Sequence, residues 1–217
     1  MKRGSIFMGK IKAVIFDMDG VLIDAKEWHF EALNRALGLF GFAIDRYDHL
    51  FTYDGLPTRK KLAMLTKEHG LPESLHATIN DLKQIYTMEL VHSKCKPIFQ
   101  HQYAFSRLKS DGLKLGVASN SIRNTVEVMM SRSGLDAYLD TTMSNEDVAH
   151  AKPDPEIYLK SMRQLGVAPN EALVVEDNDH GIRAAEAAGA HVMKVASVHE
   201  VEYERIRRSI SKAEAGK

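Results

Sequence analysis

Ile11-Lys-Ala-Val-Ile-Phe-Asp17-Met-Asp19-Gly20-Val-Leu-Ile-Asp24 is the stretch whose reading decides the fold. Ala13 to Phe16 is a short apolar run rich in β-branched residues, and two carboxylates and a glycine end it. That pattern predicts a buried strand of a parallel sheet. Ligands of open α/β sheets sit just beyond the carboxyl ends of strands, which is where Asp17 and Asp19 fall. In extended backbone, residues i and i+2 point the same way. Two carboxylates so placed repel unless a cation or a shared proton relieves them. The pair fits either a solvated acidic turn or one edge of a site, and the rest of the chain has to choose.

Downstream, the hydrophobic period changes. Trp28, Ala32, Leu33, Ala36, Leu37 and Phe40 recur at helical spacing, with Asp24 as the expected N-cap. Asp45 to Gly55 reads as a polar and aromatic turn region. Pro57-Thr58-Arg59 opens a second helix that Gly70 and Pro72 stop, and a third runs from Ser74 to about His92. Some 65 helical residues therefore separate the first strand from the next, which predicts a helical insertion. Pro97 to Ser110 returns as a helix. Strands are then expected at Leu113–Asn120, Tyr138–Thr142, Ala172–Asp177 and His191–Val195. Helices are expected at Ile122–Ser133, Pro155–Leu165, His180–Ala188 and Val201–Ile210. The alternation predicts a Rossmann-like, doubly wound parallel sheet. The expected organisation is a core of residues 1–24 and 93–217 with a helical cap of residues 25–92.

Composition narrows the function. The 217 residues are 44% hydrophobic, which supplies a sizeable core. Lys+Arg and Asp+Glu number 29 each, so the chain has no net charge with which to attract nucleic acid or an anionic membrane. No apolar run is long enough to span a bilayer. The basic start, Met1 to Met8, is too short in its apolar part for a secretory signal and reads as an extension before the first strand. The single cysteine, Cys95, excludes an internal disulfide and is expected to be a packing residue in a reducing, cytoplasmic setting. The expected partner is a small molecule, with no nucleic acid and no membrane, and the expected state is a monomer or weak homodimer.

Three expected strand ends carry polar groups: Asp17 and Asp19, Ser119 and Asn120, Glu176 and Asp177. Lys152, in Ala151-Lys152-Pro153-Asp154-Pro155, is a fourth candidate. Each alone fits a surface turn, but all fall near the edge where this fold places its ligands. Converging carboxylates call for a divalent cation, and an all-oxygen set favours Mg²⁺. A carboxylate nucleophile, a lysine, a hydroxyl and a second acid are the parts of phosphoryl transfer through an aspartyl-phosphate.

In that order the motifs resemble those of the haloacid dehalogenase (HAD) superfamily: Asp17-Met-Asp19-Gly20-Val-Leu, Val117-Ala-Ser119-Asn120, Lys152-Pro153-Asp154-Pro155, and Val174-Val-Glu176-Asp177 followed by Gly181. The resemblance runs over about residues 11–195 and implies a Mg²⁺-dependent phosphatase acting on a small phosphorylated metabolite, a sugar phosphate above all. It implies Asp17 as nucleophile and metal ligand. Asp19 would be the acid/base, its backbone carbonyl on the metal, and its presence argues for phosphate transfer over dehalogenation. Ser119 would bind phosphate with Asn120 beside it, Lys152 would hold the nucleophile and phosphoryl oxygens, and Glu176 and Asp177 would complete the metal site.

Within the superfamily the chain is most similar to the beta-phosphoglucomutase-like branch. Glu27-Trp28-His29 and Tyr53-Asp54-Gly55-Leu56-Pro57-Thr58-Arg59 resemble cap segments of that branch, which makes His29 and Arg59 candidate substrate-binding residues. Lys60 and Lys61 are expected to be solvated. Ala25, where the branch has Ser or Thr, and the Pro57-Thr58 pair depart from the mutase pattern. A phosphosugar mutase is therefore the alternative, and a non-catalytic module on the same fold the remote one.

Overall fold

The computed structural model describes residues 10–216 except Asp54, and of Leu50 only the backbone. The expected extension at residues 1–8 lies outside them. Five strands form one parallel sheet: β1 (Ala13–Phe16), β2 (Lys114–Ala118), β3 (Thr141–Met143), β4 (Ala172–Glu176) and β5 (His191–Lys194). Their order is β3-β2-β1-β4-β5. The central strand pairs with both neighbours in register, Phe16 opposite Val117 on one side and Val175 on the other.

The apolar run of β1 is buried on both faces, and its alternation sorts it between two cores. Val14 and Phe16 join Leu173 and Val175 of β4 on one face. There they pack against α5 (Phe99–Ser110), α6 (Arg123–Ser133) and α9 (Tyr203–Glu214) through Phe105, Met129 and Ile206. Phe16 stacks on Phe105 with ring centroids 4.7 Å apart. Ala13 and Ile15 join Ala172 and Val174 on the other face. The cover there is α7 (Glu156–Leu165) and α8 (Asp179–Ala187), through Ile157, Tyr158, Met162 and Ala184. The sheet is doubly wound, as expected. Chain order reverses at β1, because β2 and β3 lie to one side and β4 and β5 to the other, and a crevice opens at the carboxyl ends there.

Between β1 and β2 lie α1 (Lys26–Gly38), α2 (Arg46–Phe51), α3 (Thr58–His69) and α4 (His76–Lys94). They bury a separate cluster that includes Leu33, Leu37, Ile44, Tyr53, Leu62, Leu65 and Ile79. Asn34 clips the loop after α1 by two 2.8 Å bonds to the backbone of Ile44.

Several local expectations are corrected. Ala25, not Asp24, occupies the N-cap of α1, and no side chain caps it. The region expected as a turn contains α2, which the Asp45 carboxylate caps by accepting from the Asp48 N–H at 2.8 Å. The third strand starts later than expected, because residues 136–138 form a 3₁₀ turn. Lys60 is exposed as expected, but Lys61 is buried.

Candidate active site

The β1 ladder extends one residue further, with Asp17 N–H donating to Val175 O at 2.9 Å. The chain then tightens: the N–H groups of Leu22 and Ile23 both donate to Met18 O at 2.9 Å. Gly20 makes this turn possible. Its φ is +91°, and a Cβ there would lie 2.2 Å from Asp177 Oδ2. Gly181 is required for the same steric reason, since its Cβ would fall 1.7 Å from Glu176 Oε1.

Lys152 ties the strand ends together. Its Nζ donates to Asp17 Oδ1 at 2.6 Å, Glu176 Oε1 at 2.7 Å and Ala118 O at 2.9 Å, which uses all three ammonium protons. The Nζ also lies 4.7 Å from the Tyr158 ring centroid. Burial alone pushes the Lys152 ammonium down, but Asp17 and Glu176 outweigh it and hold the group above its ordinary value. Asp17 moves well above the usual carboxylate range, first through burial and then through Glu176, Asp177 and Asp19, with Lys152 opposing.

Glu176 is saturated by donors. Oε1 accepts from Lys152 and, at 2.6 Å, from the Tyr158 hydroxyl, while Oε2 accepts from Asp177 N–H at 3.1 Å. Asp177 reaches out instead, with Oδ2 2.7 Å from the Lys26 ammonium at the start of α1.

Asp17, Glu176 and Asp177 each offer an oxygen within 4.8 Å of the others. That all-oxygen set fits a hard divalent cation. The Asp19 carboxylate is not in this group, so the expected convergence of four carboxylates is corrected to three. Asp19 faces the insertion: Oδ1 lies 3.0 Å from His29 Nε2, and Oδ2 accepts from the Ser121 hydroxyl at 2.9 Å. Burial works to raise its pKa, but His29, the Ser121 bond and Lys83 prevail and hold it below the usual carboxylate range. Burial is also the main cause that lowers His29. Its Nε2 faces Asp19, and its Nδ1 lies 3.4 Å from Lys83 Nζ.

Ser119 is buried at the end of β2, and its Oγ accepts from Ser121 N–H at 3.0 Å. Asn120 is a bridge: Oδ1 accepts from Lys152 N–H at 3.1 Å, and Nδ2 donates to Gly55 O in the loop before α3 at 3.2 Å. Arg59 is exposed and lines the crevice rim. The cavity holds about 200 Å³ and is lined by every expected site residue, Asp17, Asp19, His29, Arg59, Ser119, Asn120, Lys152, Glu176 and Asp177. It is smaller than the roughly 300–1,000 Å³ of drug-sized sites, which favours a small metabolite.

Sequence reasoning missed Ser121, Tyr158, Lys26, Lys61 and Lys83. Ser121 was within reach of it, as the third polar residue at the end of β2. Tyr158 reads as an ordinary core position of an amphipathic helix. The lysines read as helix-surface charge, and only the packing of α1, α3 and α4 turns them inward.

The fold and site define an α/β enzyme whose lysine-bridged acidic centre lies at a sheet switch point beneath a helical insertion. The chain belongs to the haloacid dehalogenase-like hydrolase family, whose model matches residues 14–195. A phosphorylated carbohydrates phosphatase of Thermotoga maritima is 32% identical over 189 residues, covering 82% of each chain. A pyrophosphatase PpaX of Bacillus cereus (strain AH820) is 31% identical over 201 residues, covering 86% of this chain and 83% of that one. A solved beta-phosphoglucomutase from Clostridium difficile superposes with a TM-score of 0.81 at 22% identity, over 93% of this chain and 98% of that one, a likeness of fold. No helix among the described residues is long and apolar enough to cross a membrane.

Proposed function

We propose that the protein is a Mg²⁺-dependent phosphatase that hydrolyses a small phosphorylated metabolite, a sugar phosphate, through an aspartyl-phosphate on Asp17. The observation that carries this reading is the Lys152 ammonium shared between Asp17 and Glu176 beside Asp177. The name of the Thermotoga relative supports the sugar class. Asp17, Asp177 and the Asp19 backbone carbonyl would hold the metal. Glu176, its oxygens already taken by four groups including the Asn178 N–H at 3.4 Å, orients Lys152 and the turn after β4. Bound Mg²⁺ supplies Lewis-acid charge for the phosphoryl oxygens.

Lys152 fixes one oxygen of Asp17 and leaves the other to attack phosphorus in line. Its ammonium then faces the transferring group, where fixed charge acts without reorganisation. The Ser119 hydroxyl lies at the neighbouring strand end to hold a phosphoryl oxygen. Asp19 exchanges a proton with the leaving oxygen and afterwards with the water that cleaves the aspartyl-phosphate. Residues 25–92 act as the cap. They bury their own core and meet the catalytic edge through His29, Lys26 and Gly55. Closure excludes bulk water while Asp17 is attacked.

The test is phosphate release from p-nitrophenyl phosphate and a panel of sugar phosphates with Mg²⁺ and with EDTA. Turnover that requires Mg²⁺ and vanishes in Asp17→Asn supports the reading. Undiminished turnover by Asp17→Asn overturns it.

A further inference from the structure

Strand β5 is an edge of the sheet and pairs only with β4. Along a strand, successive residues turn their N–H and C=O to opposite sides. Val195 N–H donates to Glu176 O at 2.8 Å, so Val195 and Met193 face β4, and Val192 and Lys194 face outward. One outward group is taken, since Arg205 Nη2 of α9 donates to Lys194 O at 3.2 Å. Among the described residues, Val192 N–H, Val192 O and Lys194 N–H have no hydrogen-bond partner. Two donors and an acceptor thus stand open along the edge, the pattern that another extended chain completes.

This edge forms one wall of a groove of about 600 Å³, and α9 forms the other. The groove shares no lining residue with the catalytic cavity. Arg205, Arg208, Ser209 and Lys212 of α9 line it, at the three- and four-residue spacing of one helix face. Lys194 adds a cation from the strand. Two of these charges are answered nearby, Arg205 by Glu200 at 2.6 Å and Lys194 by Asp179 at 3.3 Å. Arg208 and Lys212 are exposed and, among the described residues, enter no salt bridge, not even with Glu204 one helical turn before Arg208.

Charge selects the occupant. A second copy of the chain would bring the same cations edge to edge, and lysine on an edge strand disfavours such pairing. A compact anion meets the cations but leaves the Val192 carbonyl unanswered. An extended segment with acidic side chains supplies both, backbone groups for the edge and carboxylates at every second residue for α9. We propose that the groove between β5 and α9 binds an extended acidic peptide segment of a partner protein as a sixth strand, with Arg208 and Lys212 selecting its carboxylates. The inference does not depend on the reaction at Asp17.

The experiment is fluorescence anisotropy on the full chain with a labelled peptide of alternating glutamate and valine, about six residues long, the usual length of a strand. A peptide of alternating lysine and valine is the control. The glutamate peptide is expected to bind, more weakly as salt is raised, and the lysine peptide is not. Arg208→Glu combined with Lys212→Glu weakens binding by at least about tenfold, the span of one charged hydrogen bond. Val192→Pro removes the outward N–H without touching the ladder to β4, and it weakens binding as well. Bound peptide also slows hydrogen exchange at the Val192 and Lys194 amides. If Val192→Pro does not fold, a glutamate peptide methylated on its backbone nitrogens blocks the same pairing from the ligand side.

No binding of the glutamate peptide at low salt overturns the proposal. So does binding that survives the two charge reversals, or binding that leaves exchange at Val192 and Lys194 unchanged. Inorganic tripolyphosphate that binds more tightly than the peptide, with no change in amide exchange, would assign the groove to a small polyanion. A concentration-dependent dimer that protects the same amides would assign the edge to a second copy. Either result replaces the peptide.

Discussion

Nε2 of His29 lies 3.0 Å from Oδ1 of Asp19, so one hydrogen bond joins the first helix of the insertion to the carboxylate at the catalytic edge. The other carboxylate oxygen of Asp19 accepts from the Ser121 hydroxyl at 2.9 Å. In the proposed mechanism the orientation of the proton-transferring group thus depends on where the insertion sits, which would couple closure to chemistry. His29→Ala is expected to lower kcat by about 10²-fold, the lower end of what a positioned acid or base contributes, with a smaller change in KM. His29→Gln, which retains an N–H donor, recovers part of the loss. Steady-state kinetics on p-nitrophenyl phosphate decides this. A variant altered in KM alone would make His29 a substrate-binding residue instead.

Asp17 and Lys152 are both expected to be essential, but their removal has different consequences for the fold. Asp17→Asn replaces a carboxylate that burial and three neighbouring acids already disfavour in its charged form, so the fold is retained while turnover is lost. Lys152→Ala leaves Asp17 and Glu176 buried without their shared cation. Breaking a buried pair from one side costs about 3–5 kcal/mol, so this variant loses activity and melts several degrees lower. Circular dichroism melts of the two proteins give the comparison. Equal stability of both would show that Lys152 does not hold the acidic cluster together.

Lys83 sets a measurable pH signature. Burial first, and then Lys61, pull its pKa from the ordinary 10.5 to about 8, against the opposing influence of Asp19. Between about pH 8 and 10.5 the unfolded chain holds a proton that the native state has released, so stability contributed by this group rises with pH in that window. Below pH 8 the native ammonium is fully charged and the burial cost is complete. Lys83→Met should therefore be more stable than wild type at pH 7, by on the order of 3 kcal/mol, and the gap should close as pH passes 10. Catalytic efficiency moves the other way, because the same change removes a cation from the cavity. Urea melts at pH 7 and pH 10 measure the first effect. A gap that is independent of pH would assign the stability change to packing.

How far the sequence carries this picture differs from residue to residue. Asp17, Ser119 and Glu176 were legible because a strand end fixes a position whatever the loops do, and a parallel sheet gathers its strand ends on one edge. Lys152 was legible from its proline-flanked motif. Helix α2 was not, because Tyr47 and Phe51 are exposed and leave no apolar stripe to read, only the Asp45 cap. Lys60 and Lys61 are adjacent in sequence yet differ in burial, since one residue turns a helix face by about 100° and only the packing of α3 against α4 selects which faces inward. The His29–Asp19 bond, like the Lys26–Asp177 pair, depends on how the insertion seats over the sheet, and local periodicity carries no trace of that.

Phosphatase and mutase share the attack by Asp17 and differ in what accepts the phosphoryl group. A mutase has to hold a bisphosphate while it exchanges its two ends, with water kept out. Lys61 and Lys83 line the cavity wall that the insertion supplies, a placement compatible with both outcomes. The rim differs: Arg59 is exposed, and the loop before α3 touches the catalytic edge through the Gly55 carbonyl on Asn120. That loop brings a backbone oxygen to the edge, not a side-chain cation. The expected result with a hexose 1-phosphate and catalytic hexose 1,6-bisphosphate is phosphate release well in excess of hexose 6-phosphate formation. Arg59→Ala should then mainly raise KM for substrates with a remote anion. Isomerisation far exceeding phosphate release, and lost in Arg59→Ala, would instead make the protein a mutase whose cap arginine holds the distal phosphate.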